Sequence, residues 1–136
     1  MVMSELDSGR MARVPPHNLE AEESLLGAML LSRDAIADAV EISSVEHFYR
    51  PAHAHVYDAI STLYATGDPV DPVTVAEELD RGGVLESIGG LDGLISLQVS
   101  TPATSNAAKY ASIIQERYTL RRLIEVAGEI AEIGYG

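Results

Sequence analysis

The sequence predicts an all-α chain: a compact helical head of about six short helices followed by one long helix. Three observations predict it. Apolar residues recur every three to four positions through most of the chain. Few β-branched residues alternate with polar ones, as half-buried strands would require. Proline, glycine and small polar residues fall where helices start and stop.

Residues 1–14 read as a flexible N-terminal arm, because Met1 to Arg13 mix small, charged and apolar types without a period. Pro15-Pro16 opens the ordered part. Asn18 is placed to cap a helix, and Glu20, Glu22 and Glu23 put negative charge in its first turn, where the helix dipole favours it. Leu19, Leu26 and Leu30, with Leu25 and Met29 beside them, form its apolar stripe. Gly27 inside that helix costs about 1 kcal/mol against Ala, which points to close packing by another helix.

Ser32 to Ile42 reads as a second short helix, capped by Ser32 and buried through Ile36, Ala39 and Val40. In His47-Phe48-Tyr49-Arg50-Pro51, Pro51 fits the first turn of a new helix and pushes Arg50 towards extended geometry. Val56, Ala59, Ile60 and Leu63 give that helix its inner face, and Gly67-Asp68-Pro69 stops it. Asp71 caps a helix that Pro72 opens, with Val75, Ala76 and Leu79 inward. Gly82-Gly83 ends it. Leu85, Ile88, Leu91, Leu94, Ile95 and Leu97 continue as a short helical pair broken at Gly89-Gly90. Thr101 to Asn106 is turn chemistry.

The longest periodic segment runs from Ala107 to Ile133. Tyr110, Ile113, Ile114, Leu120, Leu123, Ile124, Ala127, Ile130 and Ala131 lie on one side of it. Lys109, Ser112, Glu116, Thr119, Arg122, Glu129 and Glu132 lie on the other. At 1.5 Å per residue it extends about 40 Å, more than a small head needs. Such a helix must bury its stripe on something outside the head. A fully buried Leu or Ile is worth about 1.5–3 kcal/mol, so leaving several wet is expensive. Self-association through the stripe is the expected outcome, with fold-back onto the head or fraying beyond Gly128 as the alternatives.

The chemistry is bounded by what is missing. The chain has 136 residues, 21 Asp and Glu against 9 Lys and Arg, and no Cys. No disulfide framework or thiolate metal site can form. Phosphate binding needs clustered cations, so direct DNA contact by so acidic a domain is not expected. No apolar run approaches the ~20 residues that span a bilayer, and no membrane partner is expected. No phosphate-binding loop is present, and Lys109 is the only lysine, which argues against a nucleotide site.

His53 and His55, two apart on a helix, point about 200° apart and cannot share a metal. His53 is expected to be partly buried and hydrogen-bonded, and His55 exposed. Glu20, Glu22 and Glu23, like Glu77 and Glu78, read as solvated helix faces rather than acid–base pairs. Tyr49 reads as a core or corner aromatic. Arg117, Arg121 and Arg122 form the one basic patch, expected to pair with the glutamates Glu116, Glu125 and Glu129 around it. No catalytic, cofactor or metal residue is therefore assigned.

Four stretches resemble the N-terminal domain of bacterial replicative DNA helicases of the DnaB family. They are Pro15-Pro16-His17-Asn18-Leu19-Glu20-Ala21-Glu22 with Ser24-Leu25-Leu26-Gly27; Phe48-Tyr49-Arg50-Pro51-Ala52-His53; Gly67-Asp68-Pro69-Val70-Asp71 with Val73-Thr74-Val75-Ala76-Glu77-Glu78-Leu79; and Leu85-Glu86, Ile88-Gly89-Gly90-Leu91, Thr101-Pro102 and Asn106 leading to Tyr110-Ala111, Ile113, Glu116, Leu120-Arg121, Leu123-Ile124 and Glu129-Ile130. Each is weak alone; together, in order, they are specific.

The resemblance implies a helical head at 15–104. It implies the first arm of an inter-subunit helical hairpin at 105–136, with the hairpin turn starting at Gly134-Tyr135-Gly136. The second arm, a linker and an ATPase motor holding ATP and Mg would lie outside this chain. It further implies pairing of hairpins into dimers and of three dimers into a hexamer, docking of the primase C-terminal domain, a possible helicase loader, and a cytoplasmic place at the replication fork.

The implied subunit contact is Tyr110, Ile113, Ile114, Leu120, Leu123, Ile124, Ala127 and Ile130. The implied primase contact is Glu20, Leu91, Gly93 and Leu94. Family members often carry a large or aromatic side chain shortly after the Gly-Gly, where Asp92-Gly93 stands here. Two rival readings are a stand-alone helical adaptor unrelated to replication and a small acid–base enzyme. A motor downstream would decide against the first, and the second needs convergent carboxylates in a pocket.

Overall fold

A computed structural model of the chain describes residues 13–136. The arm expected over residues 1–14 thus lies, up to residue 12, outside the described residues. Among these the structure is all-helical, with six α-helices: α1 Leu19–Leu31, α2 Arg33–Ile42, α3 Pro51–Ala65, α4 Pro72–Arg81, α5 Gly90–Ser100 and α6 Ala107–Tyr135. Short 3-10 turns at Val45–His47, Leu85–Ile88 and Thr104–Asn106 join them.

The caps sit where the side-chain chemistry places them. Asn18 Oδ1 accepts from the Ala21 N–H at 2.9 Å and Ser32 Oγ from the Ala35 N–H at 3.2 Å. Asp71 and Thr74 form a reciprocal capping box. Pro51 and Pro72 occupy the first turns of α3 and α4. Gly89, at φ 91°, turns the Leu85–Ile88 helix into α5 through the left-handed region that glycine enters without strain.

α1 is the central element and packs against α2, α3, α5 and α6. Its Leu25, Leu26 and Met29 share one buried core with Ile36 of α2, Val56 and Ile60 of α3, Val75 of α4 and Leu94 of α5. Gly27 is the point of closest approach: a Cβ there would collide with the Leu97 carbonyl and Thr101 Oγ1. The packing inferred from that glycine is therefore the α1–α5 crossing.

Two expectations need correction. Val40 is exposed; Ala35, not Val40, completes the buried face of α2 with Ile36 and Ala39, because the face turned to α1 is one helical step away. The core also does not stop at residue 104. Ala107, Ala111 and Ile114 of α6 are buried in it, with Tyr110 and Ile113 packed at its edge. The helix itself runs through Tyr135.

Candidate functional site

The long helix divides the predicted stripe in two. Its first turns pack α6 onto α1 and α2 and take up Tyr110, Ile113 and Ile114; Ile114 is 1% exposed and is a core residue of this chain, not an open contact. From Leu120 onward the apolar side chains face solvent: Leu123 and Ile124 are each 60% exposed and Ile130 63%, with Leu120 and Ala127 also exposed. Val126, Ile133 and Tyr135, which the periodicity left off the stripe, are exposed as well. They widen the apolar surface well beyond one narrow seam, and their side-chain types in a helix with no further head to cover it were the available signal.

The remaining predicted contacts stand on α1 and α5 and are not brought into one recess: Glu20 borders Pro102, Tyr110 and Ile113, whereas Gly93 lines a separate recess with Glu23, Arg50 and Leu97. Glu20 and Leu91 are exposed. Leu94, however, is wholly buried in the head core and cannot be a surface contact. Gly93 is partly exposed, but a Cβ there would run into the Ile88 carbonyl, so no side chain fits without moving the 3-10 turn.

Sequence reasoning missed the polar clamp that holds the head together. Glu22 is not solvated: it is 1% exposed, and its carboxylate accepts from His53 Nδ1 at 2.8 Å and from the Tyr49 N–H at 2.7 Å. The Arg50 N–H adds a longer contact at 3.4 Å. One side chain of α1 thereby holds the two residues that lead into α3. His55, by contrast, is exposed as expected.

Arg121 likewise departs from the expected ion pairing. Arg117 and Arg122 do pair with Glu116 and Glu125, at 2.9 and 2.8 Å. Arg121 instead donates to the carbonyls of Pro16 at 2.7 Å and His47 at 2.8 Å, and lies over the rings of Tyr49 and Tyr118. It pins the entering chain and the Val45–His47 turn to α6. The His47 ring leans on Tyr118, with centroids 4.8 Å apart, and its Nδ1 accepts from the Ser44 N–H. Burial holds its pKa below the ordinary value; Arg121 lowers it further and Glu46 opposes.

No convergent catalytic set accompanies this arrangement. Among the described residues no group of three or more His, Asp or Glu is placed to hold a metal, and no helix is long and apolar enough to cross a membrane. Lys109 stands exposed on α6, with no phosphate loop near it in the sequence, so these residues do not fit ATP and Mg. What the molecule offers is surface.

Known proteins resemble the chain over most of its length. The family model described as the DnaB-like helicase N terminal domain matches residues 14–116. A replicative DNA helicase DnaB of Mycobacterium leprae is 52% identical over 123 residues, covering 90% of this chain and 20% of the relative. A replicative DNA helicase DnaC of Bacillus subtilis is 42% identical over 123 residues, 90% of this chain and 27% of the relative. The chain thus spans about a quarter or less of the curated relatives it matches. The crystal structure of the N-terminal domain of DnaB helicase from Mycobacterium tuberculosis superposes with a TM-score of 0.88 at 52% identity, covering 90% of this chain and 87% of that one. The N-terminal domain of DnaB helicase from Helicobacter pylori, described together with its interactions with primase, shares the fold at 17% identity, TM-score 0.74, over 86% of this chain and 91% of that one.

Proposed function

Since the chain belongs to the DnaB-like helicase N-terminal domain family, we propose that it is the assembly and partner-docking domain of a hexameric replicative DNA helicase and carries no catalytic step itself. ATP and Mg would be bound by a motor domain beyond this chain, which would supply the driving force for strand separation. The head would supply a rigid platform, and α6 the contact between subunits.

One observation carries the assembly reading: the solvent-facing half of α6 presents Leu120, Leu123, Ile124, Ile130 and Ile133 on a single helix with no part of the described head over them. Contiguous apolar surface of this kind marks an interface. A second copy, and the second arm of a hairpin, are the proposed occupants. Docking of a primase C-terminal domain is proposed for the surface around Glu20 and Leu91, with Gly93 at its edge and Leu94 beneath it as support. A helicase loader is a further proposed partner, at the bacterial replication fork in the cytoplasm.

Sedimentation and light scattering of the chain test the assembly reading. Concentration-dependent association is expected, and Leu123→Glu with Ile130→Glu should return it to monomer while the head keeps its circular dichroism. A parent chain that stays monomeric at high concentration, or a double variant that associates unchanged, would overturn it.

A further inference from the structure

Between α1, the start of α3 and α5 lies a recess of about 430 Å³, separate from the one that Glu20 borders. Glu23, Arg50, His53, Ser96 and Ser100 bring polar groups to it. His53 is 1% exposed, and its ring borders this recess. Its tautomer follows from Glu22. That carboxylate takes the Tyr49 N–H on one oxygen at 2.7 Å and His53 Nδ1 on the other at 2.8 Å. An ionised carboxylate only accepts, so Nδ1 carries the hydrogen. Nε2, on the far side of the ring from Glu22, has no hydrogen-bond partner among the described residues. In the neutral imidazole it is a bare acceptor.

The recess is richer in acceptors than in donors. Ser100 Oγ spends its hydrogen on the Leu97 carbonyl at 3.2 Å and offers lone pairs. Glu23 brings a carboxylate that is not paired with Arg50, although both line the same space. We propose that the recess binds the guanidinium head of an arginine, which donates one N–H to His53 Nε2 and another to the Glu23 carboxylate. A planar guanidinium carries its donors in a fixed fork and so reaches two acceptors at once. A metal ion would find too few ligands, since among the described residues no three His, Asp or Glu gather to hold one. The excess of 21 Asp and Glu over 9 Lys and Arg draws in a cationic ligand.

The source of the arginine is a docked protein. Leu91, Ile95 and Val99 recur every four residues along α5 and are all exposed, Val99 to 81%, which gives the helix an apolar row on one face. Ser96 and Ser100 each follow a member of that row, so the recess opens about 100° round the helix from it. A partner helix seated on the row has its flank over the recess. Leu91 also belongs to the docking surface proposed above. The inference therefore rests on that reading for its partner, while the recess itself is open to a small probe.

Long-range ¹H–¹⁵N spectra read the His53 ring directly. In the free chain Nε2 should resonate as an unprotonated ring nitrogen and Nδ1 as a protonated one. N-acetylarginine amide should move the Nε2 signal as a donor engages it, and its uncharged citrulline analogue should bind about tenfold more weakly. Glu23→Gln should weaken the arginine probe about tenfold with unchanged circular dichroism. Arg50→Gln should strengthen it about threefold, because a like charge leaves the rim. A helical peptide with one arginine beside two leucines four residues apart should bind about tenfold more tightly than the amide, through the apolar row. A protonated Nε2 in the free chain, no movement up to about 0.1 M probe, movement with acetate instead, or loss of binding in Arg50→Gln would overturn the site. Equal affinity for peptide and amide would overturn the protein source. Leu91→Asp, which tests primase docking, should leave the amide titration in place, so the two readings fail separately.

Discussion

Glu22 Oε1 lies 2.8 Å from His53 Nδ1 with both side chains 1% exposed, so the first and third helices are joined by a polar contact that water does not reach. The same carboxylate holds the Tyr49 N–H, and with it the entry into α3. Glu22→Ala strands these donors in the core. It should lower the unfolding free energy by about 3–5 kcal/mol, as removal of one partner of a buried pair does. Glu22→Gln, which keeps one acceptor, should cost about 1–3 kcal/mol. Urea titrations of the two variants measure the difference.

Gly27 and Gly128 should answer an Ala substitution in opposite ways. A methyl at Gly27 meets the Leu97 carbonyl and Thr101 Oγ1, so α1 and α5 must part; overpacking of this kind costs about 1–3 kcal/mol or more. A methyl at Gly128 meets nothing within 4 Å and should stabilise α6 by about 0.5–1 kcal/mol through helix propensity. Thermal unfolding should shift down for Gly27→Ala, and helical ellipticity should rise for Gly128→Ala.

His47 makes the head sensitive to acid. Burial, aided by Arg121, holds its pKa below the ordinary 6.5. As pH falls through that value the unfolded chain takes up the proton first, so the folded state loses stability until the folded pKa is passed. Protonation at Nδ1 would also break the bond from the Ser44 N–H. Stability should be steady above about pH 7 and decline towards pH 5, the range in which histidine titrates. His47→Asn should flatten that decline, as read from urea midpoints against pH.

The surface proposed for primase is tested at its exposed positions. Bulk at Gly93 would disturb the Ile88 turn and report folding rather than binding. Glu20→Lys and Leu91→Asp alter exposed positions. Each should weaken binding of a primase C-terminal domain about tenfold, the loss of roughly 1.4 kcal/mol, with unchanged circular dichroism. Calorimetric titration giving the parent affinity for both variants would remove this surface.

Local chemistry determined much of this protein. Asn18, Ser32, Pro51 and Asp71-Pro72 mark helix starts whatever surrounds them, because capping satisfies backbone groups within one turn. The all-α class, the close approach at Gly27 and the length of α6 follow from periodicity and from glycine's missing side chain. Tertiary structure decided which apolar residues the head would claim. Ile114 and Ile124 stand on the same helix and look alike in sequence, yet the first is buried by α1 and α2 while the second lies past the end of the head. Leu91 and Leu94 are separated in the same way. Glu22 became a buried acceptor rather than a solvated charge only because the turn at Tyr49 and Arg50 brings donors 27 and 28 residues away onto it. Arg121 found carbonyls 105 and 74 residues distant instead of a neighbouring glutamate. Partners that far along the chain leave no trace in a local pattern, since the period of a helix records which side is apolar and not what will come to lie against it.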